Sequence, residues 1–201
     1  TQLRALLRAS AFGPLRIMLP MICCVEELRQ AKQWIAECKQ ELLREQIAFD
    51  ASVKVGIMVE VPAVAIAADM FAKECDFFSI GTNDLCQYTL AVDRGNSAIA
   101  SLYTHYHPSV VRLIANTIAA AERAGIPCCM CGEAAGDLTF IPLLVGLGLQ
   151  NFSMAPPLIL RAREVIHSIS YQQWREKSTG CCSMPTQELK QHLQAQVPQA
   201  R

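Results

Sequence analysis

Five side chains in the middle of this sequence have the types and the spacing to bind and transform an anionic substrate. Glu60 follows the apolar run VGIMV, and Asn83 and Asp84 follow the run FFSIGT. Arg94 comes shortly afterwards, and Cys131 ends a further apolar run, PCCMC. Two carboxylates with room for water suit Mg²⁺. An arginine and an amide suit a phosphate, and a thiol suits nucleophilic, metal-binding or acid chemistry.

Each of these residues also has an ordinary structural interpretation. A carboxylate at the end of a strand often caps the next helix or pairs with a surface lysine, and the segment DRGN around Arg94 is typical of a polar turn. Cys128 and Cys131 form a C-x-x-C pair, which keeps zinc or dithiol redox chemistry as an alternative. Strand alternation turns those two thiols to opposite faces, and no second C-x-x-C follows. The combination of two acids, an amide and an arginine favours a phosphate site with Glu60 and Asp84 as Mg²⁺ ligands.

Composition excludes several classes of protein. Lys+Arg and Asp+Glu each total 18, so the formal net charge is zero and no basic surface for nucleic acid is expected. The longest apolar runs, such as IPLLVGLGL, are too short to cross a bilayer, so no membrane insertion is expected. No secretory pattern opens the chain, and its ten cysteines are therefore expected to be reduced thiols in the cytoplasm.

Five short apolar runs are predicted to be the parallel strands that position the site. They are nearly continuous in hydrophobicity, as expected for strands that are covered on both faces. The runs are RIMLPM (16–21), VGIMVE (55–60), DFFSIG (76–81), PCCMCG (127–132) and NFSMAP (151–156). Helical patterns separate them, one starting at Cys24 and two others spanning 62–74 and 108–125. His105 and His107 fall in the apparent loop before the last of these helices and are expected to be solvated.

This alternation predicts an α/β fold with a parallel sheet, either an open doubly wound sheet or a (β/α)8 TIM barrel. Polar residues at the carboxyl ends of several strands favour the barrel. Five strands do not close a barrel of eight, so either the sheet is open or the chain lacks the first strands. We divide the chain into a barrel portion, residues 1–170, and a polar tail, residues 171–201. The tail is expected to hold a short helix near 187–196 and then a loose end.

Four motifs and their order carry a family resemblance. The segments GIMVEVPA, DFFSIGTNDLCQYTLAVDRGN, MCGEAAGD and NFSMAP, preceded by LRALLRASAFGPLRIMLPMI, closely resemble enzyme I of the bacterial phosphoenolpyruvate–sugar phosphotransferase system. The resemblance runs from Leu3 to Ile169. Pyruvate phosphate dikinase and phosphoenolpyruvate synthase share the barrel, but the DRGN and CGEAAGD segments are more similar to enzyme I.

The resemblance implies a phosphoenolpyruvate-binding (β/α)8 barrel, of which this chain supplies strands four to eight. It places Glu60 and Asp84 on the family's magnesium ligands. It places Asn83 and Arg94 on phosphoenolpyruvate contacts, with Asp84 shared between metal and substrate. Cys131 falls on the acid that protonates C3 of enolpyruvate. Family members pass the phosphoryl group to a histidine on a separate domain and then to a phosphocarrier protein in sugar uptake.

The resemblance also sets expectations for the state of the chain. The family's further substrate-binding arginines and its phosphohistidine domain are not found in this sequence, so we expect a fragment or a truncated gene product that is inactive alone. Uncovered strand edges promote association, and family barrels dimerise, so a homodimer is expected. The alternative is a catalytically inactive interaction module that keeps only the dimer-forming surface.

Overall fold

The computed structural model describes residues 1–196 and shows one five-stranded, wholly parallel sheet surrounded by helices. The strands lie in the sheet in the order in which they occur in the chain. They are β1 (Arg16–Leu19), β2 (Lys54–Val59), β3 (Phe78–Gly81), β4 (Cys128–Cys131) and β5 (Asn151–Phe152). The helices are α1 (Gln2–Ala9), α2 (Val25–Arg44), α3 (Pro62–Ile66), α4 (Ala68–Ala72), α5 (Thr82–Leu90), α6 (Pro108–Ala124), α7 (Glu133–Gly136), α8 (Ile141–Leu147), α9 (Pro156–Ser168), α10 (Tyr171–Cys181) and α11 (Thr186–Gln196).

The predicted α/β class and the parallel sheet are confirmed. Within the described residues the sheet is open, with β1 and β5 at its two edges, and it is consistent with part of a TIM-like barrel. Each predicted run contains one strand, but the hydrogen-bonded ladder ends earlier than four of the runs do, at Leu19, Val59, Cys131 and Phe152. The residues that follow turn away into loops, which is where the site is built.

One face of the sheet is covered by helices. Ile57, Ile80 and Met130 are fully buried in the main core, which the helices after β2 also line. Ile17 and Val55 lie in a second apolar cluster, under α1 and α2. Because side chains alternate along a strand, this covered face fixes which residues point the other way.

The other face carries the predicted chemistry. The register places Met58, Ser79 and Cys129 side by side across β2, β3 and β4. Two residues further along, Gly81 pairs with Cys131 at the carboxyl ends of their strands. This edge of the open face is the place where the active sites of (β/α)8 barrels form.

Two long helices follow the predictions. The helix expected to start at Cys24 is α2, with Cys24 as its N-cap. The helix expected over 108–125 is α6, which begins with Pro108 and stops at Gly125 in the left-handed region, φ 68°. No helix within residues 1–196 combines the length and the apolar character needed to cross a membrane.

The helix predicted over 62–74 is in fact two short helices, α3 and α4, which meet at Ala67. The cause is a side chain from α6. Asn116 Nδ2 donates hydrogen bonds to the carbonyl oxygens of Ala65, at 2.7 Å, and Ile66, at 3.1 Å. Carbonyls engaged in this way no longer need amide partners further along the helix, so the helix breaks there.

The segment after residue 170 forms two helices that pack onto the barrel portion. The predicted short helix near 187–196 is confirmed as α11, whereas α10 was not predicted. The predicted loose end lies outside the described residues. The side chains that the segment buries are Trp174, Ser178, Cys181, Leu189 and Leu193. Its polar composition therefore conceals one apolar side that joins the core.

We expect Gly146→Ala to reduce the free energy of unfolding by about 1–3 kcal/mol, the range for an overpacked contact. A Cβ atom at Gly146 would lie 2.7 Å from the carbonyl carbon of Trp174, so α10 could not stay in place. Gly180→Ala is the matched control, because its Cβ would meet no atom within 4 Å. Because Gly180 lies within a helix, Gly180→Ala should increase the free energy of unfolding by about 0.5–1 kcal/mol. Urea unfolding followed by circular dichroism measures both, and equal stability of Gly146→Ala and wild type would contradict the docking of α10.

Candidate active site at the carboxyl edge of the sheet

Glu60 follows β2 directly, and its carboxylate is enclosed by the loop after β1. The residue is 5% exposed, and its Oε1 accepts a hydrogen bond from the amide of Met21 at 2.8 Å. Burial raises the pKa of the Glu60 carboxyl; the Met21 amide opposes that shift, and the negative charge of Asp84 adds to it. Among residues 1–196, no lysine, arginine or histidine contributes to the pKa of Glu60, so the two neighbouring acids need a positive charge, which a divalent cation would supply.

Gly81 lets the end of β3 approach Glu60. A Cβ atom at Gly81 would lie 2.9 Å from Cγ of Met58 and 3.0 Å from Oε2 of Glu60. The contact with Met58 is shorter than real Cβ contacts and the one with Glu60 is unusually tight, so a larger residue would force the Met58 side chain or the carboxylate to move. The absence of a side chain at Gly81 therefore permits the close approach of the β3 backbone to Met58 and Glu60.

Asn83 and Asp84 occupy the first turn of α5, immediately after β3. Oδ1 of Asn83 accepts a hydrogen bond from the amide of Glu133, at 3.0 Å, which joins α5 to the loop after β4. Gly132 makes this contact possible, since its φ is 88° and its Cβ would lie 2.8 Å from Asn83 Oδ1. With its oxygen held in this way, Asn83 presents its amide Nδ2 as a donor to a ligand.

Cys131 ends β4 and points to the open face, as strand alternation predicts. Its Sγ lies 3.8 Å from Ser79 Oγ and 3.7 Å from Met58 Sδ, and its thiol donates to the carbonyl of Ile80 at 3.5 Å. Cys128 packs instead against the core on the covered face. The two thiols of the C-x-x-C pair therefore diverge, which argues against a zinc or dithiol site there.

Asn83 and Cys131 line the same cleft, whose volume is about 430 Å³ and which Glu133 and Ser153 also border. Asn83 and Asp84 are adjacent on α5, and Asp84 faces Glu60. Four of the five predicted side chains thus converge on the carboxyl edge of β2, β3 and β4. Their individual roles stay predictions.

Arg94, the fifth, lies in the exposed loop after α5 and reaches this group through Tyr103. The Tyr103 hydroxyl donates to the backbone carbonyl of Asn83 at 3.1 Å. Burial raises the pKa of Tyr103 to about 12, while the nearby Arg94 guanidinium acts to lower it. The Arg94 amide donates to Oε1 of Gln87 on α5 at 3.2 Å. Tyr103 was not predicted because its hydroxyl binds a backbone carbonyl. Every residue has such a carbonyl, so the sequence contains no signal for this contact.

The expectation that His105 is solvated is wrong. Its Nε2 lies 2.9 Å from Oδ2 of Asp137, which also accepts a hydrogen bond from the Tyr106 hydroxyl at 2.5 Å. Burial alone would raise the pKa of Asp137, but these hydrogen bonds outweigh it and the pKa falls. The cluster ties the loop that carries Tyr103 to the segment after α7. Hydrogen bonds therefore hold this loop both to Asn83 and to Asp137.

Comparison with known proteins gives concordant matches. A family model described as "PEP-utilising enzyme, PEP-binding domain" matches residues 1–171. The phosphoenolpyruvate-protein phosphotransferase of Staphylococcus epidermidis is 50% identical over 187 residues, 93% of this chain and 33% of that protein. The proteins of the same name from Geobacillus stearothermophilus and Lactococcus lactis subsp. cremoris are also 50% identical, over 94% and 91% of this chain and 32% of each relative. The chain spans about a third of the length of the curated relatives it matches.

Proposed function

The chain belongs to the family of phosphoenolpyruvate-binding domains of PEP-utilising enzymes, and from that premise we propose that it binds Mg²⁺ and phosphoenolpyruvate within a phosphoenolpyruvate-protein phosphotransferase. The observation that carries the proposal is the juxtaposition of Glu60 and Asp84 beside the cleft of Asn83 and Cys131. Two facing carboxylates, one of them buried, form a donor set that suits Mg²⁺.

Each side chain has a chemical part in this proposal. Glu60 and Asp84 hold Mg²⁺, which when bound offsets the charge of the phosphoryl oxygens. The Arg94 guanidinium and the Asn83 amide donate hydrogen bonds to the phosphate and orient it. The Cys131 thiol gives its proton to C3 of enolpyruvate, which becomes pyruvate once the phosphoryl group has left.

We propose that the chain acts as part of a longer protein, in which the remaining steps take place. There, the phosphoryl group passes to a histidine on another domain and on to a phosphocarrier protein for sugar uptake, in the cytoplasm. We also propose that the barrel portion, residues 1–170, forms a homodimer. Residues 171–201 are a tail that differs from this portion in its polar composition. Exposed apolar side chains support association, among them Phe12, which is 93% exposed, and Leu160, which is 70% exposed.

Isothermal titration calorimetry of the reduced chain tests the proposal. Phosphoenolpyruvate is expected to release heat with one-to-one stoichiometry when Mg²⁺ is present and far less when it is replaced by a chelator. A well-folded sample that gives no heat under either condition would refute the binding function. That outcome would favour the interaction module, and light scattering on the same sample would then detect its dimer.

We expect Tyr103→Phe to weaken phosphoenolpyruvate binding about fivefold, the equivalent of one hydrogen bond worth about 1 kcal/mol. The change removes the hydroxyl that links Asn83 to Arg94 and leaves the ring in place. Tyr88→Phe is the matched control, because Tyr88 lies on α5 with 46% exposure. Calorimetry compares the two variants, and equal affinity of Tyr103→Phe and wild type would remove Tyr103 from the site.

A further inference from the structure

Two cysteines and a glutamate converge at the start of α2, apart from the site described above. Cys23 precedes the helix, Cys24 is its N-cap and Glu27 lies in its first turn. One ligand atom from each, the two Sγ atoms and a carboxylate oxygen, lies within 4.8 Å of the others. Four ligands around a tetrahedral Zn²⁺ are separated by about 3.5–4 Å, given Zn–S bonds of about 2.3 Å and Zn–O bonds of about 2.1 Å. Movements of about 1 Å or less would therefore close the three atoms on one ion.

The Glu27 carboxylate contacts the Cys23 thiol and has no cationic partner among its helical neighbours. Its Oε2 accepts hydrogen bonds from the amides of Cys23, at 2.7 Å, and Cys24, at 3.4 Å, so its other oxygen can coordinate. Arg29 and Lys32, on the following turns of α2, both pair with Glu74. A carboxylate usually pairs with a positive charge or with water, whereas the Glu27 carboxylate has the thiols of Cys23 and Cys24 beside it.

We propose that Cys23, Cys24 and Glu27 bind one thiophilic divalent cation, of which Zn²⁺ is the physiological example. Thiolate ligands select Zn²⁺ over Mg²⁺ and Ca²⁺, which prefer six or more oxygens. Three protein ligands leave the fourth tetrahedral position to water. Binding releases the thiol protons to solvent, and the exposure of Cys23 gives the ion an entry path. The site does not depend on the proposed function, because it shares no ligand with Glu60 or Asp84.

The competing explanation is that Cys24 and Glu27 only cap the helix. Conservative variants separate the two, since Ser is a preferred N-cap residue and Gln completes a capping box as well as Glu does. Cys24→Ser and Glu27→Gln should therefore leave the thermal stability of the metal-free chain nearly unchanged, while removing one ligand each.

The test is titration of the reduced, metal-free chain with Co²⁺ in excess Mg²⁺, followed by displacement with Zn²⁺. We expect one Co²⁺ per chain, with thiolate charge-transfer absorption and the intense visible bands of tetrahedral cobalt. Cys23→Ser and Cys24→Ser should each weaken binding at least about 100-fold, and Glu27→Gln about tenfold or more, by comparison with the 10–100-fold effects of outer-shell changes.

The matched control is Cys182→Ser, which alters another pair of adjacent cysteines, Cys181 and Cys182; within residues 1–196 this pair belongs to no group of three potential metal ligands. Its cobalt spectrum and stoichiometry should equal those of wild type. The proposal fails if wild type shows no charge-transfer absorption, or if that absorption survives unchanged in both Cys23→Ser and Cys24→Ser. Loss of metal in the control but not in those variants would likewise place the site elsewhere.

Discussion

Glu60→Gln is expected to weaken Mg²⁺-dependent binding of phosphoenolpyruvate at least about 100-fold and, in the metal-free protein, to raise the melting temperature. The loss of affinity follows from removing one of two proposed ligands, which should cost at least as much as the loss of an outer-shell partner. The gain in stability follows from burial, because the amide needs no ionisation and its oxygen still accepts from the Met21 amide. Calorimetry measures the first effect and thermal unfolding the second.

The pH dependence of stability follows from the direction of the Glu60 shift. The pKa of this carboxyl is higher in the folded than in the unfolded chain, so the folded state retains the proton more strongly. Its contribution to stability is complete below the unfolded pKa, about 4.3, and is lost as pH rises through the folded pKa. The melting temperature of Glu60→Gln should therefore rise above that of wild type as the pH increases through the folded pKa, and the difference should persist at neutral pH.

Asp76→Asn is the matched control, with the opposite sign. Asp76 lies at the other edge of the sheet, where its carboxylate accepts from the Val55 amide at 2.8 Å and pairs with Lys54 at 3.1 Å. Burial alone would raise the pKa of Asp76, but these two partners lower it, so its stabilisation is present at neutral pH and is lost on acidification. Asp76→Asn should lower stability and leave binding intact. If Glu60→Gln also left binding intact, Glu60 would not be a ligand.

Cys131→Ala, made in a full-length enzyme that contains this segment, is expected to slow turnover about 10²–10⁴-fold, the usual contribution of a general acid. Phosphoenolpyruvate binding should change little, because the thiol contacts Ser79, Met58 and Ile80 and is not one of the groups proposed to bind the phosphate. A fall in kcat without a matching loss of affinity is the signature of a group that acts in the transition state.

Cys129→Ala provides the control for this prediction. Cys129 lies on the same face of β4, two residues earlier and further from the carboxyl edge. Turnover can be followed in D₂O by nuclear magnetic resonance of the pyruvate methyl group, since deuterium at C3 reports the proton-transfer step directly. Equal turnover of Cys131→Ala and wild type would exclude the thiol as the proton donor, as would an equal loss in Cys129→Ala.

The positions of the strands and of most site residues could be predicted because they rest on burial. A strand that is covered by helices must be apolar, as Ile57, Ile80 and Met130 are, and polar residues directly after such runs must gather at one edge. That rule predicts from the sequence alone that Glu60 and Asp84 lie near each other, as they do in the structure.

What could not be predicted depends on backbone groups or on partners that are distant in the sequence. The Met21 amide holds Glu60, and no residue type signals that contact. Asn116 breaks a helix about fifty residues earlier in the chain. The helix α10 was missed because Trp174 and Cys181 are the only apolar side chains that it buries, within the otherwise mostly polar segment YQQWREKSTGC.

Each strand of this sheet pairs with the strand that precedes it in the chain, so the ribosome delivers the strands in the order in which they pair. A nascent chain can therefore enlarge the sheet by one βα unit at a time, and no strand has to wait for a distant segment to be synthesised. At every stage the newest strand is the exposed edge. The last one described, β5, is only two residues long, which makes it a poor template for the strands of neighbouring nascent chains.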